Sequence, residues 1–336
     1  MIAARIGPRD MALANAQASI TRRIRSASRS LRMLVGRPGE PETGNLEIAT
    51  LLRERELLLA QLRSLGLQST ALDTPAPPER GVDGSGPGHF ARYMRECSAI
   101  PGWFFRESVA VWDCLLAHQR DRGVRGHLFE IGVMNGRSAA LAAMHAAPDE
   151  VLALVDPAPM ADARAVLAAI KPDAVRYLQA RSQDLAGRPE IGDLAERCRW
   201  IHIDGEHSEA AITNDLGIAN RLVSEDGVIS IDDFMSTSYP HLTSAAFRYL
   251  EAHRADLSLF LCGFNKGYLC RPTAKRSYLC YLRDSLFADM AARGCGAVTV
   301  FKTNAPSELN CFGIGPRYLH FDCYGLDADQ SAIVIE

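Results

Sequence analysis

The chain has 336 residues, 47% of them hydrophobic and 23% charged, and a formal net charge of −3. That composition supports a large buried core in one or two domains; it excludes a disordered chain and argues against nucleic-acid binding through bulk charge. No apolar run nears the roughly 20 residues of a spanning helix, and the nine cysteines are scattered without a CxxC pair, so a reducing cytoplasm fits better than secretion or a zinc knuckle.

The first 35 residues hold Arg5, Arg9, Arg22, Arg23, Arg25, Arg29 and Arg32 against the single acid Asp10. This reads as a basic, partly ordered tail. Because Ile20, Ile24, Leu31 and Leu34 recur at helical spacing, a membrane-surface helix or a transit peptide is the competing reading. After the breaker cluster 37–44, residues 45–65 form a leucine-rich helical pattern suited to packing on a partner helix, which leaves a homo-oligomer open. Residues 68–88 are a Pro- and Gly-rich linker. The expected organisation is therefore 1–88 as tail, helix and linker, 89–272 as the catalytic domain, and 273–336 as a C-terminal α/β elaboration.

From His89 the periodicity predicts a helix over 90–119, a strand over 128–131, a helix over 137–145, a strand over 151–155, a helix over 161–170 and a strand over 175–179. Two apolar runs follow, 200–203 and 228–231, each ending in aspartate, with an amphipathic stretch capped by Ser208 between them. This alternation predicts a parallel sheet with helices on both faces. Residues 257–262 and 268–270, joined by Asn265-Lys266-Gly267, read as a hairpin with a plain turn. Beyond 277 a helix and short strands near 297–301, 318–323 and 332–335 are expected. Trp103 and Phe104 are expected to anchor the first helix to the core.

A strand, crossover helix and parallel strand bring the two aspartate-tipped ends, Asp204 and Asp232-Asp233, to one sheet edge. Neighbouring carboxylates repel unless a cation or a proton sits among them, and this points to a hard metal beside a ligand crevice. At the end of the first strand, Glu130-Ile-Gly132-Val-Met-Asn135-Gly136-Arg-Ser138 is a glycine turn opening a helix, where backbone can approach a ligand closely. The second strand ends at Asp156, where an acid can accept the hydroxyls of a ribose. Together these features favour a nucleoside-containing cofactor.

With those motifs the chain resembles class I S-adenosylmethionine-dependent methyltransferases over roughly residues 89–272, and more narrowly the metal-dependent O-methyltransferases. The Asp204-Gly-Glu-His207 and Ile231-Asp232-Asp233-Phe234 patterns are similar to those of bacterial enzymes that methylate hydroxyls of sugars and other natural products. The resemblance implies a Rossmann-like methyltransferase sheet with an N-terminal helical extension. It implies that Glu130, Gly132, Asn135, Gly136 and Ser138 hold the methionine part of the cofactor and Asp156 the ribose. Ser182 and Gln183 would border the adenine. Asp204, beside the cofactor, would join Asp232 and Asp233 in holding Mg2+ or another divalent cation.

Magnesium keeps open oxygen positions, so a substrate hydroxyl bound there loses its proton more easily and is aimed at the methyl group. His207, three residues after Asp204, stands where catechol-type enzymes carry lysine and is a candidate base; a metal ligand or a residue preceding the Ser208 cap are its alternatives. His202 is expected as a core or supporting histidine. The loop 235–240, with Tyr239 and His241, should line the acceptor side for a small-molecule or glycan hydroxyl. The rivals are a metal-independent methyltransferase on the same fold and a non-catalytic partner protein.

Overall fold

The computed structural model describes residues 88–302 and 311–316. The basic tail, the 45–65 helix, the linker and the strands expected near 318–323 and 332–335 lie outside the described residues. In chain order the elements are α1 (Phe90–Glu96), α2 (Arg106–Asp121), β1 (His127–Ile131), α3 (Arg137–His145), β2 (Leu152–Asp156), α4 (Ala161–Ile170) and β3 (Val175–Gln179). A short turn of helix α5 (Pro189–Gly192) precedes β4 (Cys198–Ile203), α6 (Glu209–Leu222), β5 (Val223–Ile231) and α7 (Pro240–Ala252). Then come β6 (Ser258–Gly263), β7 (Lys266–Cys270), α8 (Pro272–Tyr281), α9 (Phe287–Ala292), β8 (Val298–Lys302) and β9 (Phe312–Pro316).

Most elements match the periodicity, but the single helix expected over 90–119 is two. Pro101 disfavours helical backbone at Ile100, and Gly102 takes a φ of +143°, so the chain turns between α1 and α2. Strand β9 was not expected. Its glycines at 313 and 315 weaken the strand pattern, and a Cβ at Gly313 would lie 2.3 Å from the Phe301 ring of the adjoining β8.

The nine strands form one sheet in the order β3-β2-β1-β4-β5-β7-β6-β9-β8. Strands β3 to β5 are parallel in the doubly wound order, while β7 inserts antiparallel between β5 and β6. This is the Rossmann-like α/β sheet expected. Both faces are covered, so the parallel strands are apolar on both sides. Leu128, Leu152, Trp200 and Val228 pack with α2 and α3 on one face; Phe129, Ala153, Ile201 and Ile229 pack with α6 and α7 on the other. Among the described residues, no helix is long and apolar enough to cross a membrane.

Register decides what meets at the carboxyl edge. Ile131 of β1 pairs with Val155 of β2 and with Ile203 of β4; Ile203 pairs with Ile231 of β5, and Ile231 with Gly267 of β7. One step beyond that row lie Asp156, Gly132, Asp204, Asp232 and, because β7 runs the other way, Lys266. Arg293, directly after α9, is tied to this frame through Asp113 of α2. Its carboxylate accepts from His145 Nε2 and from Arg293 Nε, both at 2.7 Å, and from the His89 backbone N–H at 2.5 Å. Burial alone would raise this carboxyl, but the hydrogen bond from His145 and the His145 and Arg293 charges hold it well below the usual range. Asp113→Ala would strand a buried guanidinium, so a loss of about 3–5 kcal/mol of stability is expected. Equilibrium denaturant unfolding measures it.

Candidate active site

The carboxyl edge opens into a cavity of about 850 Å³. Its first end is built by the β1–α3 turn. Gly132 adopts a φ of +82°, and a Cβ there would lie 1.8 Å from the Asp204 carbonyl oxygen, so only glycine lets β1 and β4 approach this closely. Gly136 caps α3 at a φ of +80°, against Ala163. Asn135 donates from Nδ2 to the Pro101 carbonyl at 3.1 Å, and Arg137 Nη1 donates to the carbonyls of Ile100 and Gly102 at 2.9 and 2.8 Å. The loop between α1 and α2 is thereby fastened over the glycine turn.

Asp156 lies on the cavity wall, nearly buried. Its Oδ2 accepts the N–H groups of Val133 and Met134 at 2.8 and 3.0 Å, and its Oδ1 accepts that of Ala158 at 2.7 Å. The carboxylate thus shapes the glycine turn directly, and each oxygen keeps limited capacity for a ligand hydroxyl. Glu130 is 1% exposed and stands behind the wall: its Oε1 accepts from Ser138 Oγ and pairs with His202 Nδ1 at 3.0 Å, while Oε2 has no partner among the described residues. Ser138 and His202 line the cavity, and Glu130 touches both from behind them. At the far end Ser182 and Gln183, in the turn after β3, line the cavity beside Pro157 and Ala180.

The second end gathers the acids. Potential metal-binding atoms of His202, Asp204 and Asp232 lie within 4.8 Å of one another, as do those of Asp204, His207 and Asp233. Asp232 Oδ1 accepts the Asp233 N–H at 2.8 Å, and Asp233 takes a left-handed φ of +52°, which turns the two adjacent carboxylates into the same space. Asp233 Oδ1 accepts from Asn265 Nδ2 at 2.8 Å, and its Oδ2 lies 2.8 Å from His207 Nε2. The His207 ring stacks on Tyr239 at 4.3 Å and 13°, and His241 Nε2 lies 3.0 Å from the His207 carbonyl. No donor among the described residues comes within hydrogen-bond distance of the Asp204 carboxylate; His207 Nε2 lies 3.9 Å from its Oδ1. Burial, then the Asp232 charge, push the Asp204 carboxyl well above its usual range. A carboxylate short of donors beside two others is a donor set that suits a hard divalent cation.

Two residues read as a plain turn belong to this site. Lys266 is 2% exposed, and its ammonium lies 2.6 Å from Asp232 Oδ2. Asn265 bridges the two aspartates, and its carbonyl accepts the Phe234 N–H at 3.0 Å. Burial would raise the Asp232 carboxyl, but Lys266 and then His202 hold it below the usual range. Gly267 completes the fit, since a Cβ there would meet the Phe234 ring at 2.7 Å. Trp103 also departs from expectation: Phe104 is buried in the core, whereas Trp103 is 83% exposed and lines the cavity with Phe105 and Met134. His202, as expected, is a buried supporting residue, and Ser208 caps α6 by accepting the Ala211 N–H at 3.2 Å.

Residues 129–234 match the model of a protein family described as a methyltransferase domain. No curated protein matches the chain. Among solved structures, the O-methyltransferase NovP is similar at 18% identity over 49% of this chain and 78% of that one, with a TM-score of 0.42. An O-methyltransferase from Bacillus cereus in complex with SAH is similar at 15% identity over 54% and 88%, with a TM-score of 0.39. The methyltransferase MycE from the mycinamycin biosynthetic pathway, in complex with Mg, SAH and mycinamycin VI, is similar at 13% identity over 70% and 64%, with a TM-score of 0.41. The matched segment runs from β1 through the Asp232-Asp233 pair and encloses the glycine turn and all three clustered aspartates, so the part of the chain that builds the cavity is the part that is similar to a methyltransferase domain.

Proposed function

We propose that the chain transfers a methyl group from S-adenosylmethionine to a hydroxyl of a small neutral acceptor, a sugar or related natural product, with a divalent cation held by Asp204, Asp232 and Asp233. The observation that carries this reading is the joint lining of one cavity by the Gly132 turn and by the three clustered aspartates. When bound, such a cation lowers the pKa of a hydroxyl that it touches. His207, held by Asp233 and by the Tyr239 ring, is the residue to receive that proton. The oxygen then forms a bond to the methyl carbon as the carbon–sulfur bond breaks in line, and the sulfur leaves as a neutral thioether with the bonding pair. The chain's part is alignment of the two reactants.

The wall beyond the aspartates supports a neutral acceptor. Trp103, Phe105, Tyr239 and Phe264 line it. Of the nearby cations, Lys266 is paired with Asp232, Arg137 is spent on two carbonyls, and Arg181 stands at the β3 end of the cavity. That wall suits a ring with an apolar face better than a nucleotide-linked diphosphate. Trp103→Ala is expected to raise the acceptor KM by about tenfold with little change in kcat, as loss of stacking area does. The reading as a whole is tested by transfer of labelled methyl from S-adenosylmethionine to a panel of neutral hydroxylated glycosides and their nucleotide-linked counterparts. Transfer to the neutral set that stops on chelation and returns with Mg2+ is expected. Transfer that ignores chelation would instead favour the metal-independent alternative.

A further inference from the structure

Lys266 is a buried cation for which the proposed chemistry has no step. It sits at the start of β7, where antiparallel pairing with β5 brings it beside Asp232. Its ammonium lies over the Phe104 ring, 5.3 Å from the centroid, and over that of Trp112 at 5.6 Å, so two aromatic faces also hold the charge in place. Asp232 has no oxygen without a protein donor: Oδ2 faces Lys266 at 2.6 Å, and Oδ1 accepts from the Asp233 N–H at 2.8 Å and from Asn265 Nδ2 at 3.4 Å. Asp204 has none. The carboxylates of one site are therefore unequal, one neutralised from within the fold and one left for an outside cation.

We propose that Lys266 is a built-in counter-cation for Asp232 that competes with the divalent cation, so that the site holds its shape without metal and binds metal more weakly than three free carboxylates would. This rests on the reading of the aspartates as a cation site. Two positive charges that draw on one carboxylate repel each other, and in a half-buried site the repulsion is only partly screened. Lys266 is a positioning residue that acts through Asp232.

The test is titration of the full chain with Mn2+, free Mn2+ being read by electron paramagnetic resonance, for wild type, Lys266→Met, Lys266→Gln and Lys266→Arg. The glutamine variant keeps an N–H donor for Asp232 and drops the charge, and so covers the case in which the methionine variant does not fold. Met and Gln are expected to tighten Mn2+ binding by about tenfold or more, while Arg leaves it near wild type. The thermal midpoint of the Met and Gln variants in chelator should fall and be regained on adding Mn2+. Unchanged or weaker Mn2+ binding in the Gln variant, with S-adenosylmethionine binding intact, would overturn the role given to Lys266 and leave the cation site standing. Absence of Mn2+ binding in wild type and variants alike would overturn both.

Discussion

Asp204→Asn is expected to lower turnover by about 10³-fold or more, while cofactor affinity stays near wild type and the metal-free protein melts at a higher temperature. The loss follows from the donor set. Among the described residues Asp204 is the one of the three carboxylates without a protein donor, so a bound cation would depend on it most, and the charge stabilisation such a cation would supply amounts to several kcal/mol, on the order of three decades in rate. The gain in melting temperature follows from the raised Asp204 carboxyl, pushed up by burial and then by Asp232, with Glu130 and Asp233 adding and Lys266 opposing. An acid whose folded pKa is raised destabilises the fold as pH climbs from the unfolded value through the folded one, and the penalty then stays. Asparagine removes it, so the difference should be present at neutral pH and fade in the acid range. Rate assays and thermal melts in chelator at several pH values check both halves; Mg2+ should raise the wild-type midpoint and leave that of the variant alone. A variant that is less stable and fully active would remove Asp204 from the centre of the site.

Gly132→Ala has the second large effect, at the other end of the cavity. Its Cβ would lie 1.8 Å from the Asp204 carbonyl oxygen, 2.5 Å from the carbonyl carbon and 3.0 Å from the Gly205 nitrogen, all backbone atoms that cannot swing aside. The residue also holds a φ of +82°. Strain and overpacking together are expected to remove on the order of 3 kcal/mol and to abolish S-adenosylmethionine binding, because the β1 and β4 ends must part. Gly187→Ala is the control: its φ of +78° carries similar strain, but nothing lies within 4 Å of the new Cβ. That variant should lose about 1 kcal/mol and bind cofactor normally. Calorimetry and denaturant unfolding of the pair separate backbone strain from steric closure. Normal cofactor binding by Gly132→Ala would mean that the cofactor does not lie on this turn.

The parts of this site that were legible in the sequence are those fixed by period. Apolar runs ending at Ile131, Val155, Ile203 and Ile231 carry their next residues to one edge in any parallel sheet, so the glycine turn, Asp156, Asp204 and Asp232 could be grouped before the fold was known. Lys266 and Asn265 could not. They reach the site only because β7 inserts antiparallel between β5 and β6, a long-range pairing with no local signal, and Asn265-Lys266-Gly267 reads as a turn in any fold. Glu130 shows the limit from the other direction. Its position in the motif was visible, but side chains alternate along a strand, and the register with His202 turns its carboxylate behind the wall. For Trp103 and Phe104, adjacent aromatics gave no indication that one would be buried and the other exposed to the cavity.

The most direct test of the central claim is a calorimetric titration of the full chain with S-adenosylmethionine, once in Mg2+ and once in chelator. Saturable binding of one molecule per chain with a Kd in the micromolar range, on the order of −8 kcal/mol, is predicted in both, since the glycine turn does not depend on the cation. Absence of binding in both conditions would contradict the assignment of the cavity to this cofactor and bring forward the reading of the chain as a non-catalytic partner protein.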